Sequence, residues 1–169
     1  MKDAISAVIE QNDVNGKYVS IDSIDKIQVY LKTGLQRLTI AKVINSNSPE
    51  IIKKAADLMF LQSPELLRPG GNANTTRRYA ACLRDLEYYL RYSYYSIIAG
   101  DFTILDERVL NGLKQTYNIL GVPVGPTVAG INNIKEVIKE LINSEDSVTN
   151  LLISEPFDYL SIKLSERNI

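Results

Sequence analysis

Histidine and tryptophan are absent from this 169-residue chain, and cysteine occurs once. Without histidine, the commonest metal ligand and the commonest general base near neutral pH are both missing. Zinc sites, histidine-ligated haem and the serine or cysteine triads that need an imidazole are therefore disfavoured. One cysteine excludes an internal disulfide framework. Charge of one sign is lacking too. Nineteen Lys and Arg stand against 20 Asp and Glu, a net charge of −1, which provides no general basic field for nucleic acid. No apolar run approaches the roughly 18 residues that cross a bilayer. At the N-terminus, an acid as early as Asp3 and the want of a long apolar core argue against a secretory signal. A carboxylate-only active site stays open.

What is present is helical. Hydrophobic residues make up 45% of the chain, enough for one core in a chain of this length, so residues 1–169 are expected to form a single domain. Ile5, Val8 and Ile9 mark a first helix that Asn15-Gly16 ends. Ser20 caps a second with Ile24, Ile27 and Leu31 on one stripe, stopping near Gly34. Leu35, Leu38, Ala41 and Ile44 continue the pattern. Ser48-Pro49 then reads as an N-cap and first turn for a helix carrying Ile52, Ala55, Ala56, Met59 and Phe60. Residues 63–74 form a loop with Pro64, Pro69 and Gly70-Gly71-Asn72. Thr75 or Thr76 caps a long helix running to about Ala99, with Gly100 as its stop. Thr103 with Asp106 resembles a capping box for a helix through Leu113. Thr127 starts another helix, striped by Ile131, Ile134, Ile138, Leu141 and Ile142. Residues 143–150 read as loop, and Ser154 with Pro156 begins a last helix. No alternating strand pattern or repeat emerges. The expected class is all-α, with about eight helices, in which residues 1–34 precede a compact body of 35–169 and project from it. Apolar stripes on such projecting helices need a partner.

The chemistry-bearing residues concentrate in the long helix. At 3.6 residues per turn, Arg78, Cys82, Asp85 and Tyr89 share one face, and Arg77, Arg84, Tyr88 and Arg91 gather on another nearby. A thiol with a carboxylate one turn away and guanidinium groups within a side-chain length suits covalent capture of a rigid, polar, dianionic molecule. Nearby cations are expected to favour thiolate, the attacking form. Plainer readings stand beside this one. A lone cysteine is commonly a small buried hydrophobe, and Asp85 with Arg84 or Arg78 reads equally well as a surface ion pair. Five of the ten tyrosines fall between Tyr88 and Tyr95, where core or interface packing is their ordinary use. Asp106-Glu107-Arg108 reads first as a charge cluster at a helix start.

Three segments together carry a resemblance. Pro69-Gly70-Gly71-Asn72, the run Thr75-Thr76-Arg77-Arg78-Tyr79-Ala80-Ala81-Cys82-Leu83-Arg84-Asp85, and Tyr88-Tyr89-Leu90-Arg91-Tyr92 resemble the β subunits of phycobiliproteins. Leu105-Asp106-Glu107-Arg108-Val109-Leu110-Asn111-Gly112-Leu113-Lys114 and the stretch from Thr116 to Pro123 match as well. The similarity extends over essentially the whole chain. It is closer to the allophycocyanin β type than to phycocyanin β, because no second cysteine lies toward the C-terminus. The extended segment from Asn143 onward resembles the minor core form known as β-18. Asn74 departs from the tyrosine usual at that position.

The resemblance implies a globin-like phycobiliprotein fold with two extra N-terminal helices used for α–β pairing. It implies one phycocyanobilin held by a thioether at Cys82. Arg78 and Arg84, with Arg77, would meet its propionates; Asp85 would accept from its pyrrole N–H groups, and Tyr117 would line the pocket. Asn72 is implied as a candidate N4-methylasparagine beside the pigment, and Arg108 as a further pigment-site residue. The implied function is light harvesting in the phycobilisome core, without enzymatic activity. The implied partners are an allophycocyanin α-type chain, in heterodimers closing into threefold discs, and a core linker. The implied location is the stromal or cytoplasmic face of the thylakoid membrane. The abundance of Ile, Asn and Lys points to an AT-rich genome such as a red-algal plastid. Two other classes stay open here: a globin-like sensor or interaction protein holding a different ligand, and a carboxylate-based enzyme using Asp85.

Overall fold

A computed structural model of the chain describes residues 2–166; the ends of the expected 1–169 range lie outside the described residues. The fold is all-α and globin-like, with no strand among the described residues. Its helices are α1 (Ala4–Asp13), α2 (Ile21–Lys32), α3 (Gly34–Gln62), α4 (Thr76–Ala99), α5 (Thr103–Leu105), α6 (Leu113–Leu120), α7 (Val124–Ile142) and α8 (Ser147–Ser165). A 3₁₀ turn, Pro64–Leu67, follows α3, and a π turn, Asp106–Leu110, continues α5.

The core lies where α3, α4, α7 and α8 pack together. Ile51, Ala55 and Met59 of α3 meet Leu86, Leu90 and Ile97 of α4. Ile131, Ile134 and Ile138 of α7 and Ile153, Phe157 and Leu160 of α8 complete the cluster. These residues follow helical spacing on each element, and burying such apolar stripes drives the assembly of the four helices.

Several helix ends differ from the sequence expectation. No new helix starts at Ser48-Pro49: α3 runs unbroken for 29 residues with Pro49 inside it. Proline there removes one backbone donor, yet Ile44 on one side and Ile51 on the other are both buried in the shared core. Tertiary packing overrides the local stop, and Ile51 rather than Ile52 is the fully buried residue of that turn. Likewise α8 starts at Ser147, not near Ser154, and Pro156 lies buried inside it. Its cap is Asp146, whose carboxylate accepts from the Val148 and Thr149 amides at 3.3 and 3.0 Å; hydrogen bonding to Thr149 holds that carboxyl below its usual range. Helix α7 begins at Val124, three residues before Thr127. Pro126 fits there because the first turn has no helical partners for its N–H groups.

The expected capping box at Thr103 and Asp106 does not form. Asp101 Oδ1 accepts from the Thr103 amide at 2.8 Å instead. The carboxylate of Asp106 is taken by the Tyr159 hydroxyl, 2.8 and 2.9 Å from its two oxygens. With Tyr159 stacked on Phe102 at 4.9 Å, α8 clamps the π turn, and the helix expected through Leu113 breaks at Asn111-Gly112.

Neither α1 nor α2 contains a buried residue. Ile9, Ile24 and Leu31 of the expected stripes are exposed, whereas Ile5, Val8 and Ile27 are half-buried. The segment is nonetheless tied to the far end of α4. The Tyr30 hydroxyl donates to the Ile98 carbonyl at 3.1 Å, and Arg37 Nη1 donates to the Ile97 carbonyl at 2.8 Å. These carbonyls lie in the last turn of α4, where helical donors run out. Arg37 also lies 5.3 Å above the Tyr30 ring. Gly100 ends the helix with φ +67°, and a Cβ there would come within 2.5 Å of the Tyr30 ring. Only glycine satisfies both the left-handed backbone and the close approach.

Candidate functional site

Helix α4 forms as the sequence predicts. Thr75 caps it, accepting from the Arg78 amide at 3.3 Å, and the next two turns carry Arg77, Arg78, Cys82, Arg84 and Asp85. Cys82 is half-buried, packed against the core. Below it the Tyr79 ring stacks on Phe60 at 5.1 Å. Arg77 and Arg78 are exposed at the outer edge.

Asp85 is the hub. Arg84 donates to its Oδ1 at 2.9 Å, and Tyr117 donates to its Oδ2 at 3.3 Å. Tyr117 is brought in by α6, a short helix in which it alone is buried. Its hydroxyl is bonded in turn to that of Tyr89, a buried tyrosine one turn past Asp85. Burial raises both phenols well above their ordinary range; the Tyr117 neighbour adds to the rise at Tyr89, whereas the bond from Tyr89 partly opposes it at Tyr117. Arg84 also lies 5.9 Å from the Tyr88 ring, and Arg91 lies 5.1 Å from it.

The loop before α4 is fixed from both sides. Asn72 Nδ2 donates to the Gly121 carbonyl at 2.9 Å, joining the loop to the turn after α6. Arg78 Nη1 lies 3.4 Å from the Gly71 carbonyl. A Cβ on Gly71 would meet the Glu65 and Leu66 carbonyl oxygens at 2.4 Å, so the loop lies flat on the 3₁₀ turn because residue 71 has no side chain.

One expectation is overturned. The arginines around Cys82 do not favour its thiolate: burial, then the Asp85 carboxylate, pushes the thiol up to about 11. The physical reason is first the desolvation of the sulfur against the core. Beside that burial, Arg84 is turned to the Asp85 carboxylate and Arg78 toward the Gly71 carbonyl, so neither guanidinium offsets the desolvation of the sulfur. A protonated thiol in an apolar seat results.

Asn72, Cys82, Asp85, Arg84, Arg78 and Tyr117 thus belong to one connected region built from α4, α6 and the 68–74 loop. Arg108 stands apart. It is exposed on the π turn and makes no hydrogen bond or ion pair with Cys82, Asn72, Asp85 or Tyr117. Tyr89 is the site element that sequence reasoning passed over as core. Its position on the Cys82 face was the available signal. A separate cleft of about 180 Å³ between α3 and α4, lined by Asn45, Ser48, Glu87, Arg91, Tyr94 and Tyr95, lies on the opposite side of α4.

Helix α4, helix α6 and the 68–74 loop thus bring a thiol, a carboxylate and guanidinium groups to one region of an all-α fold. The phycobilisome protein family model matches residues 7–164, and the chain belongs to that family. It is 50% identical over 169 residues to a phycobiliprotein beta chain of Mastigocladus laminosus, covering all of both chains. It is 47% identical over 169 residues to an allophycocyanin subunit beta-18 of Nostoc sp., and 50% identical over 171 residues to one of Aglaothamnion neglectum, again covering all of each. The protein is a light-harvesting, bilin-binding subunit of the phycobilisome core. Components of these assemblies pair with α subunits and are associated with thylakoids.

Proposed function

We propose that this chain holds one phycocyanobilin on a thioether to Cys82 and passes its excitation energy toward the photosystems. The observation that carries this reading is the position of the single thiol, half-buried between the Asp85–Tyr117 pair and the exposed guanidiniums. The donor set fits an open-chain tetrapyrrole. Asp85, already bonded to Arg84 and Tyr117, keeps unused lone pairs with which to accept pyrrole N–H groups. Arg78, Arg84 and Arg77 offer planar forks for two propionates. Tyr117 supplies a wall, and Asn72 is the proposed site of side-chain methylation; its second amide hydrogen is available because only one is needed for Gly121. Arg108, exposed on the π turn and not hydrogen-bonded to this network, is proposed to act at the margin of the pigment region. The bound bilin supplies the visible absorption. The protein's part is to hold it rigid and protonated, so that torsional decay is suppressed.

The remaining assignments rest on the same reading. Residues 1–34 are the pairing segment and 35–169 the body that carries the pigment. The partner is an allophycocyanin α-type chain, in heterodimers that close into threefold discs around a core linker, held peripherally at the thylakoid. The role is not enzymatic, and a red-algal plastid is the favoured source. Cys82→Ser tests the centre of this reading. The variant should fold and pair with the α chain yet carry no covalent pigment. A zinc-fluorescent band that persists for it on a denaturing gel overturns the assignment.

A further inference from the structure

Three hydroxyl and carboxylate groups lie in series between the core and the thiol. Each phenol has one proton to give. Tyr117 gives its proton to Asp85 Oδ2. In the bond between Tyr89 and Tyr117, the donor must therefore be Tyr89. The series has a single direction, from Tyr89 through Tyr117 to Asp85, while Arg84 closes the carboxylate from the other oxygen at 2.9 Å.

Tyr89 is 2% exposed, and its backbone belongs to the same helix as Asp85, so it cannot move independently of the site. Tyr117 comes from α6, an element held at its end by Gly121, whose amide and that of Val122 return to the Asn118 and Tyr117 carbonyls. Without the Tyr89 hydroxyl, no other group among the described residues bonds the Tyr117 oxygen from the core side. Hydrogen bonds in such a chain polarise one another.

We propose that Tyr89 is a positioning residue of the pigment site, fixing the Tyr117 hydroxyl as a donor to Asp85 and so setting the carboxylate's orientation toward the bilin. This rests on the proposed attachment at Cys82. With its hydroxyl bonded to Tyr117 and its ring buried, Tyr89 is proposed to act through Tyr117.

That serial action gives a signature that packing cannot mimic. The visible band is measured for the pigment-bearing protein in complex with its α-type chain, in the wild type, Tyr89→Phe, Tyr117→Phe and the double variant. Tyr89→Phe should shift the band in the same direction as Tyr117→Phe and by less. The double variant should coincide with Tyr117→Phe alone, because coupled groups are not additive. An unshifted band in Tyr89→Phe overturns the proposal. So does a Tyr89→Phe shift that survives in the Tyr117→Phe background. Should the phenylalanine variants fail to fold, 3-fluorotyrosine placed at position 89 keeps the shape and strengthens the donor; it should move the band the opposite way, and no movement overturns the proposal. A second readout needs no pigment. In the pigment-free full chain, the Tyr117 hydroxyl proton resonance should move upfield in Tyr89→Phe, and an unmoved resonance refutes the relay. Absence of covalent pigment on the natural protein would sink the attachment at Cys82 while leaving this proton measurement to decide the relay on its own.

Discussion

Reactivity of the single thiol gives the sharpest check on the electrostatics of the site. Burial and Asp85 push Cys82 up to about 11, against 9.0 for an ordinary thiol. Two units mean about 100-fold less thiolate at neutral pH, and thiolate is the reacting form. A more basic thiolate is also a better nucleophile, and a Brønsted coefficient of about 0.4–0.5 returns roughly an eightfold gain. The net expectation is alkylation about tenfold slower than for an exposed, unperturbed cysteine, before any steric hindrance. The assay is the pH–rate profile of iodoacetamide addition to the pigment-free chain, followed by intact mass. One cysteine in the sequence means one adduct and no ambiguity of site. The rate should climb about tenfold per pH unit through the range 8 to 10 and level off near 11. Asp85→Asn removes the smaller cause, so the profile should move to lower pH while staying above 9, because burial remains. A plateau at or below pH 9 in the wild type refutes the reasoning and restores the view that the arginines dominate.

Asp85→Asn in the assembled protein should bleach or blue-shift the visible band without releasing pigment, since it removes a charge-assisted acceptor worth roughly 1.5–3 kcal/mol; an unchanged spectrum contradicts that role. Deleting residues 1–34 should abolish pairing with the α-type chain while the remaining helices stay partly folded, and a stable truncated heterodimer in sedimentation would place the pairing surface elsewhere. Gly100→Ala puts a Cβ at φ +67° within 2.5 Å of Tyr30. The left-handed backbone alone costs about 1–2 kcal/mol, so with about 2–4 °C per kcal/mol in a chain of this size the melting temperature should fall by at least ~2 °C. A melting temperature equal to the wild type's would show that α2 is not seated against α4 as described.

The parts of this molecule that sequence reasoning reached are those governed by local rules. Thr75 and Gly100 bound α4 because a capping hydroxyl and a left-handed glycine act within one turn. Arg84 and Asp85, adjacent in sequence on one helix, were equally accessible to it as a pair. Where long-range packing decides, local rules mislead. Pro49 and Pro156 resemble helix starts, yet each lies inside a helix whose flanking residues are committed to the shared core. Thr103 resembles a capping residue, but its intended partner Asp106 is claimed by Tyr159, 53 positions away. The raised thiol was illegible for a related reason. Helical spacing counts arginines near Cys82, but only three-dimensional packing reveals how far the sulfur is desolvated among apolar neighbours.

The two ends of α4 are closed by different stretches of chain. The first turn rests on Thr75 and the loop that Asn72 ties to Gly121. The last turn is held by Tyr30 and Arg37. A helix of 24 residues is about 36 Å long, so these fastenings are far apart, and the thiol lies near only one of them. Helices ordinarily fray from their ends, one turn at a time. Here the last turn cannot unwind without releasing Tyr30 and Arg37, and the first is capped from a loop that Asn72 fastens to Gly121, so the rod resembles a beam held at both supports rather than a cantilever. On the proposed attachment at Cys82, two supports damp the bending that one would allow the pigment's anchor, and whatever settles α2 into place stiffens the rod from the end opposite the thiol.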